Sequence, residues 1–208
     1  FGPEAVIYGI DIEPACAGRC DPPNQVRIGS QADPEFLRSV VDEMVAPDII
    51  LDDGSHVAKH QMASFRTLFP MLKDGGLYVI EDICTSYWRA WSGGLRRKGT
   101  AIELSKALID GMHGWFWNGE VPDIAAIHSY NSIVFIEKAK AERPWWVIND
   151  PAARASAYIP RIANDPRMML PIRQANGPSP NSSIAPAITS LASCGCSAFG
   201  SSPSGADR

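Results

Sequence analysis

The sequence predicts an α/β fold, a mainly parallel sheet that finishes in an antiparallel hairpin. Three observations predict it. Short apolar runs rich in β-branched residues, bounded by glycine or proline, read as buried strands. Between them stand stretches with apolar residues at helical spacing, and the last two runs flank a tight polar turn. A chain of 208 residues is long enough for one such domain with a sizeable core.

Residues 5–12 form the first apolar run, between Pro3 and Pro14, and Asp11 lies near its carboxyl end. Residues 15–24, with Gly18, Pro22 and Pro23, read as a loop or broken helix, and 25–29 as a weak short strand. Asp33-Pro34-Glu35 is a helix start, with the acid as N-cap and proline in the first turn. Phe36, Leu37, Val40, Val41 and Met44 then follow a helical period. Asp48-Ile49-Ile50-Leu51 is the next strand. From 57 to 73 the set Phe65, Leu68, Phe69, Leu72 marks one face of an amphipathic helix, and Gly75-Gly76 turns the chain into the strand 77–80. Such a strand-helix-strand unit with short connections demands a parallel crossover. A helix is expected over 100–112, with Ile102, Leu104, Leu108 and Ile109 as its apolar set. Strands 124–130 and 133–138 close the series as a hairpin around Asn131-Ser132.

Composition narrows the function. A formal net charge of −4 provides no basic footprint for nucleic acid or an anionic membrane surface. No apolar run approaches the roughly 20 residues that span a bilayer, and no signal peptide opens the sequence. Five cysteines, an odd number at irregular spacing, suggest reduced thiols and a cytoplasmic setting. The expected partner is a small molecule, and a homo-oligomer is compatible with the sequence.

The chemistry concentrates at Leu51-Asp52-Asp53-Gly54-Ser55-His56 and at Val79-Ile80-Glu81-Asp82. Each motif follows an expected strand, so the acids stand at the carboxyl edge of a sheet, where open α/β folds bind ligands. Neighbouring strands are about 4.8 Å apart, close enough for one cation to bridge Asp53 with Glu81 and Asp82. Oxygen ligands suit magnesium, manganese or calcium better than zinc. His56, on the turn into the following helix, either caps that helix or faces the crevice as a general base. Asp11 either accepts hydrogen bonds from ribose hydroxyls or caps a loop.

Asp52-Asp53-Gly54-Ser55-His56, His60-Gln61, Ser64-Phe65, Leu68-Phe69-Pro70, the run Gly75 to Asp82 and Thr85-Ser86-Tyr87-Trp88 together resemble the metal-dependent class I S-adenosylmethionine O-methyltransferases. Those that methylate sugar hydroxyls of macrolides are the nearest group, and the cephalosporin hydroxylase-like proteins are close to them. The resemblance covers about residues 1 to 140. It implies a Rossmann-like sheet and Mg2+, or Mn2+, held by Asp53, Glu81 and Asp82, with His56 as general base. It further implies Asp11 at the cofactor ribose, Gln31 and Asp33 around its adenine, Asp52 as a structural or cofactor-side acid, and Tyr87 and Trp88 beside the acceptor. The acceptor would be a hydroxyl of a sugar or another small natural product. A nucleotide-binding α/β domain without catalysis, or an inactive methyltransferase fragment, is the competing expectation. Iron-dependent hydroxylation is disfavoured by so carboxylate-rich a set.

One departure stands out. The family's first strand and its glycine-rich cofactor loop have no counterpart, because residues 5–12 resemble the family's second strand. That first strand is central in the family's sheet order, 3-2-1-4-5-7-6, and a sheet without it must close the gap, expose edges or borrow a strand. The expected organisation is thus a partial methyltransferase domain over 1–142, an irregular extension over 143–173, and a disordered tail over 174–208 dominated by Ser, Pro, Gly and Ala.

Overall fold

The computed structural model describes residues 2, 4–117 and 119–142, together with the backbone of 187–190. Within this range lie β1 (Val6–Asp11), β2 (Gln25–Ile28), α1 (Pro34–Asp42), β3 (Ile49–Asp52), α2 (Ala58–Leu68), β4 (Leu77–Ile80), α3 (Ala101–Met112), β5 (Ile124–Tyr130), β6 (Ile133–Lys138) and β7 (Ala187–Ser190). They build a seven-stranded sheet in the order β2-β1-β7-β3-β4-β6-β5. β2, β1, β7, β3 and β4 are parallel; β6 runs antiparallel to β4, and β5 to β6.

The helices begin where the sequence places them. Asp33 caps α1 by accepting from the Glu35 and Phe36 amides at 3.0 and 3.2 Å, and Pro34 occupies the first turn, where no amide donor is needed. Thr100 caps α3 and accepts from the Glu103 amide. α2 is shorter than its apolar period, because Pro70 cannot extend it and Phe69–Met71 tighten into a single turn. Gly75, at φ +82°, then reverses the chain into β4, a conformation that costs glycine little.

The core lies between one face of the sheet and the three helices. Tyr8 and Ile10 of β1, Ile50 of β3, Tyr78 and Ile80 of β4, and Val134 and Ile136 of β6 all point into it. From the helices come Leu37, Val40, Phe65, Leu68 and Leu108. At its centre Phe65 stacks on Phe69 at 4.8 Å and meets the edge of Tyr78 at 5.1 Å, geometries that aromatic quadrupoles favour. Strand alternation then dictates the rest: residues at even positions of β1, β3 and β4 face the helices, and Asp52 is one of them.

The gap expected at the centre of the sheet is filled by a borrowed strand. β7 pairs with β1 on one side and β3 on the other, with Ile188 opposite both Ile7 and Ile49. This corrects the expectation of disorder at these four residues. Composition argued against order there, yet two facing strands with unsatisfied amides and carbonyls provide a backbone ladder on both sides. The rest of the expected extension and tail, 143–186 and 191–208, lies outside the described residues.

Candidate functional site

Parallel pairing aligns the ends of β1, β3 and β4 along one edge, so the acidic turns that follow them meet there. Asp53 and His56 come from the turn after β3, and Glu81 and Asp82 from the turn after β4. His56 Nε2 lies 3.6 Å from Asp82 Oδ2 and 3.9 Å from Asp53 Oδ1. One donor atom from each of these three residues falls within 4.8 Å of the other two. Both turns use a left-handed residue, His56 at φ 55° and Asp82 at φ 48°, values uncommon outside glycine.

Electrostatics fit a cation. Burial raises the Asp53 pKa, opposed by His56 and reinforced by Asp82. Burial also raises that of Glu81, and the charges of Asp53 and Asp82 add to it. Acids that raise one another's pKa are relieved by a positive ion. Glu81 shares this field but lies outside the tight donor group, into which the structure brings His56 instead. Of the His56 ring atoms, Nδ1 is buried and has no hydrogen-bond partner, which leaves Nε2 as the atom presented to the acids.

The remaining expected residues divide between surface and interior. Asp11 ends β1 nearly buried, one oxygen accepting from the Glu13 amide at 2.8 Å. Asp33 is engaged as the α1 cap. Tyr87 and Trp88 are about half exposed on the segment after Asp82, and Trp88 meets Trp91 edge to face at 5.4 Å. Gln31 and Asp52, expected near the cofactor, are turned inward. Asp52 has no exposed surface; its Oδ1 accepts from Gln31 Nε2 at 2.9 Å. Gln31 Nε2 also donates to Ser64 Oγ at 3.0 Å, and its Oε1 accepts from the Ser55 amide. Both amide protons and the carbonyl of the Gln31 side chain are thus engaged inside the fold. The alternation that points Ile50 into the core does the same to Asp52.

Three contacts brace the site, and the sequence assigned no such role to Gln61 or Thr85. Gln61, fully buried, donates to the Glu81 carbonyl at 3.4 Å. The Thr85 hydroxyl stands between the carbonyls of Asp82, at 2.7 Å, and His56, at 3.1 Å, and joins the two turns. Ser55 Oγ pairs with His60 Nδ1 at 2.8 Å. The signal for Gln61 and Ser64 was present: two polar residues three apart in the buried stripe of α2 have to satisfy something inside.

No family model matches the chain. It is 38% identical over 151 residues to an 8-demethyl-8-(2-methoxy-alpha-L-rhamnosyl)-tetracenomycin-C 3'-O-methyltransferase of Streptomyces olivaceus, covering 67% of this chain and 38% of that protein. It is 34% identical over 172 residues to the mycinamicin VI 2''-O-methyltransferase of Micromonospora griseorubida, covering 72% and 41%. Among solved structures it matches the MycE methyltransferase of the mycinamycin pathway, in complex with Mg, SAH and mycinamycin VI. That match has a TM-score of 0.62 at 32% identity, over 72% of this chain and 41% of that one. The chain is a relative of the sugar O-methyltransferases. Its fold is that of the class I methyltransferases, and the strand order matches the family's 3-2-1-4-5-7-6 with β7 in the place of the first strand. The chain spans about two fifths of the length of these methyltransferases.

Proposed function

We propose that the protein transfers a methyl group from S-adenosylmethionine to a hydroxyl of a sugar or other small natural product, with the help of Mg2+ or Mn2+. The observation that carries the reading is the convergence of Asp53, His56 and Asp82, with Glu81 beside them, at the carboxyl edge of a sheet related to sugar O-methyltransferases. Asp53, Glu81 and Asp82 would hold the ion, and its charge would make a nearby acceptor hydroxyl more acidic. His56 Nε2 takes the hydroxyl proton. The carboxylates of Asp82 and Asp53, at 3.6 and 3.9 Å, then favour the imidazolium. The freed oxygen forms its bond to the methyl carbon as the carbon–sulfur bond breaks, and alignment by the fixed turns does much of the work. Asp11 would receive ribose hydroxyls of the cofactor, and Tyr87 with Trp88 would flank the acceptor.

A second reading is favoured by the donor geometry: His56 itself ligates the ion, and Glu81 acts from outside the group. Mn2+ affinity of His56→Ala separates the two, because a base can be lost without loss of the ion and a ligand cannot. The reaction class is tested by thermal stabilisation with S-adenosylmethionine against NAD, each with and without Mg2+. Stabilisation by S-adenosylmethionine, strengthened by Mg2+, is expected; stabilisation by NAD alone would end the proposal.

A further inference from the structure

We infer that Gln31 is a positioning residue: its buried side-chain amide fixes the turn that carries Asp53 and His56. The inference rests on the cation reading above but concerns a residue that touches neither ion nor substrate. The amide's orientation is set by chemistry. The Ser55 backbone N–H can only donate, so it must face Oε1, which turns Nε2 toward the Asp52 carboxylate and Ser64 Oγ. Ser64 Oγ is in turn within donating distance of the Gln31 carbonyl at 3.2 Å and the His60 carbonyl at 3.1 Å. One side chain therefore ties the end of β3, the turn after it, and α2 together, at no more than 8% exposure.

Besides the Ser55–His60 contact, the turn rests directly on the Gln31 amide. Gly54 packs so closely on Gln31 that a Cβ there would overlap the amide oxygen, so turn and amide form one packed unit. His56 is held at φ 55°, a conformation that persists only where its surroundings determine it. Outside the turn itself, the Thr85 hydroxyl near the His56 carbonyl is a further brace. Groups that orient metal ligands from behind typically account for about ten- to hundred-fold in metal affinity.

The test uses Mn2+ itself, titrated by electron paramagnetic resonance, with folding followed by thermal melts. Gln31→Met keeps the length and removes the hydrogen bonds; about a tenfold loss of Mn2+ affinity is expected. The paired change Gln31→Glu with Asp52→Asn exchanges amide and carboxylate across the same contact, so the donor now comes from position 52, while position 31 still accepts from the Ser55 amide. That pair is expected to bind within about twofold of the native protein, since the 31–52 contact re-forms with donor and acceptor exchanged, the Ser55 bond is kept, and the Ser64 hydroxyl can turn to donate to position 31. Should Gln31→Met fail to fold, Gly54→Ala, which displaces the amide from the other side, is expected to show the same loss. Native affinity in folded Gln31→Met or Gly54→Ala, or a paired variant as weak as the single one, would overturn the inference while leaving the cation reading intact. Failure of the native protein to bind Mn2+ would overturn both.

Discussion

Asp52→Asn tests the interior of the site without touching its surface. Asp52 has no exposed surface, and burial raises its pKa to about 7 against the opposing hydrogen bonds of Gln31 and Gly54, with the Asp53 charge adding to the rise. Its Oδ2 lies near the Tyr78 hydroxyl, close enough for the charge to raise the Tyr78 pKa further, yet neither atom completes a well-formed hydrogen bond. The folded state therefore keeps a proton that the unfolded chain releases near the ordinary value of 3.8. Stability from this group is complete below that value and is lost as pH rises toward the folded pKa. From pH 5 to a folded pKa of about 7 is about two units, or roughly 2–3 kcal/mol at about 1.4 kcal/mol per unit. Asparagine carries no such charge, still accepts from Gln31, and offers its amide to Tyr78. The stability of Asp52→Asn relative to the native protein should then rise by about that amount between pH 5 and pH 8 and level off above. Urea unfolding in the presence of a chelator measures the difference, and titrations common to both proteins cancel in it. A difference that stays flat from pH 5 to pH 8 would refute the buried, proton-holding carboxyl.

Mn2+ affinity should weaken as pH drops, because the raised pKa values of Asp53 and Glu81 let protons compete with the ion at a higher pH than ordinary carboxylates would; an affinity that does not change between neutral and acidic pH would contradict it. In methyl-transfer assays of a catalytically competent form, His56→Ala should reduce kcat by about 100-fold or more while S-adenosylmethionine affinity is kept, and Glu81→Ala should weaken the Mg2+ dependence. Normal turnover in both would remove the proposed mechanism. Ile188→Pro should lower stability by at least about 2 kcal/mol, read as a lower Tm, since proline cannot donate within a strand paired on both sides; an unchanged melt would argue that β7 does not hold the centre of the sheet.

Local sequence alone predicted the alternation of strands and helices, the helix cap at Asp33, the hairpin at the end, and the meeting of the two acidic turns. Each of these is local: periodicity, a capping side chain, a glycine pair, or a short connection that leaves one path for the chain. The relation to sugar O-methyltransferases was legible for the same reason, in connected motifs along one stretch. Tertiary structure decided what depends on neighbours distant in sequence. Ala187–Ser190 became a central strand because β1 and β3 offered unsatisfied backbone on both sides, a demand that no window around Ile188 contains. Gln31 and Asp52 went inward because the even face of β3 packs on α2 and the amide found partners 21, 24 and 33 residues away. His56 entered the donor group ahead of Glu81 because left-handed turns at His56 and Asp82 aim their side chains at one another. Composition and spacing indicate which groups a ligand would need; the direction in which a side chain points is fixed only when the backbone is folded and its buried hydrogen bonds are closed.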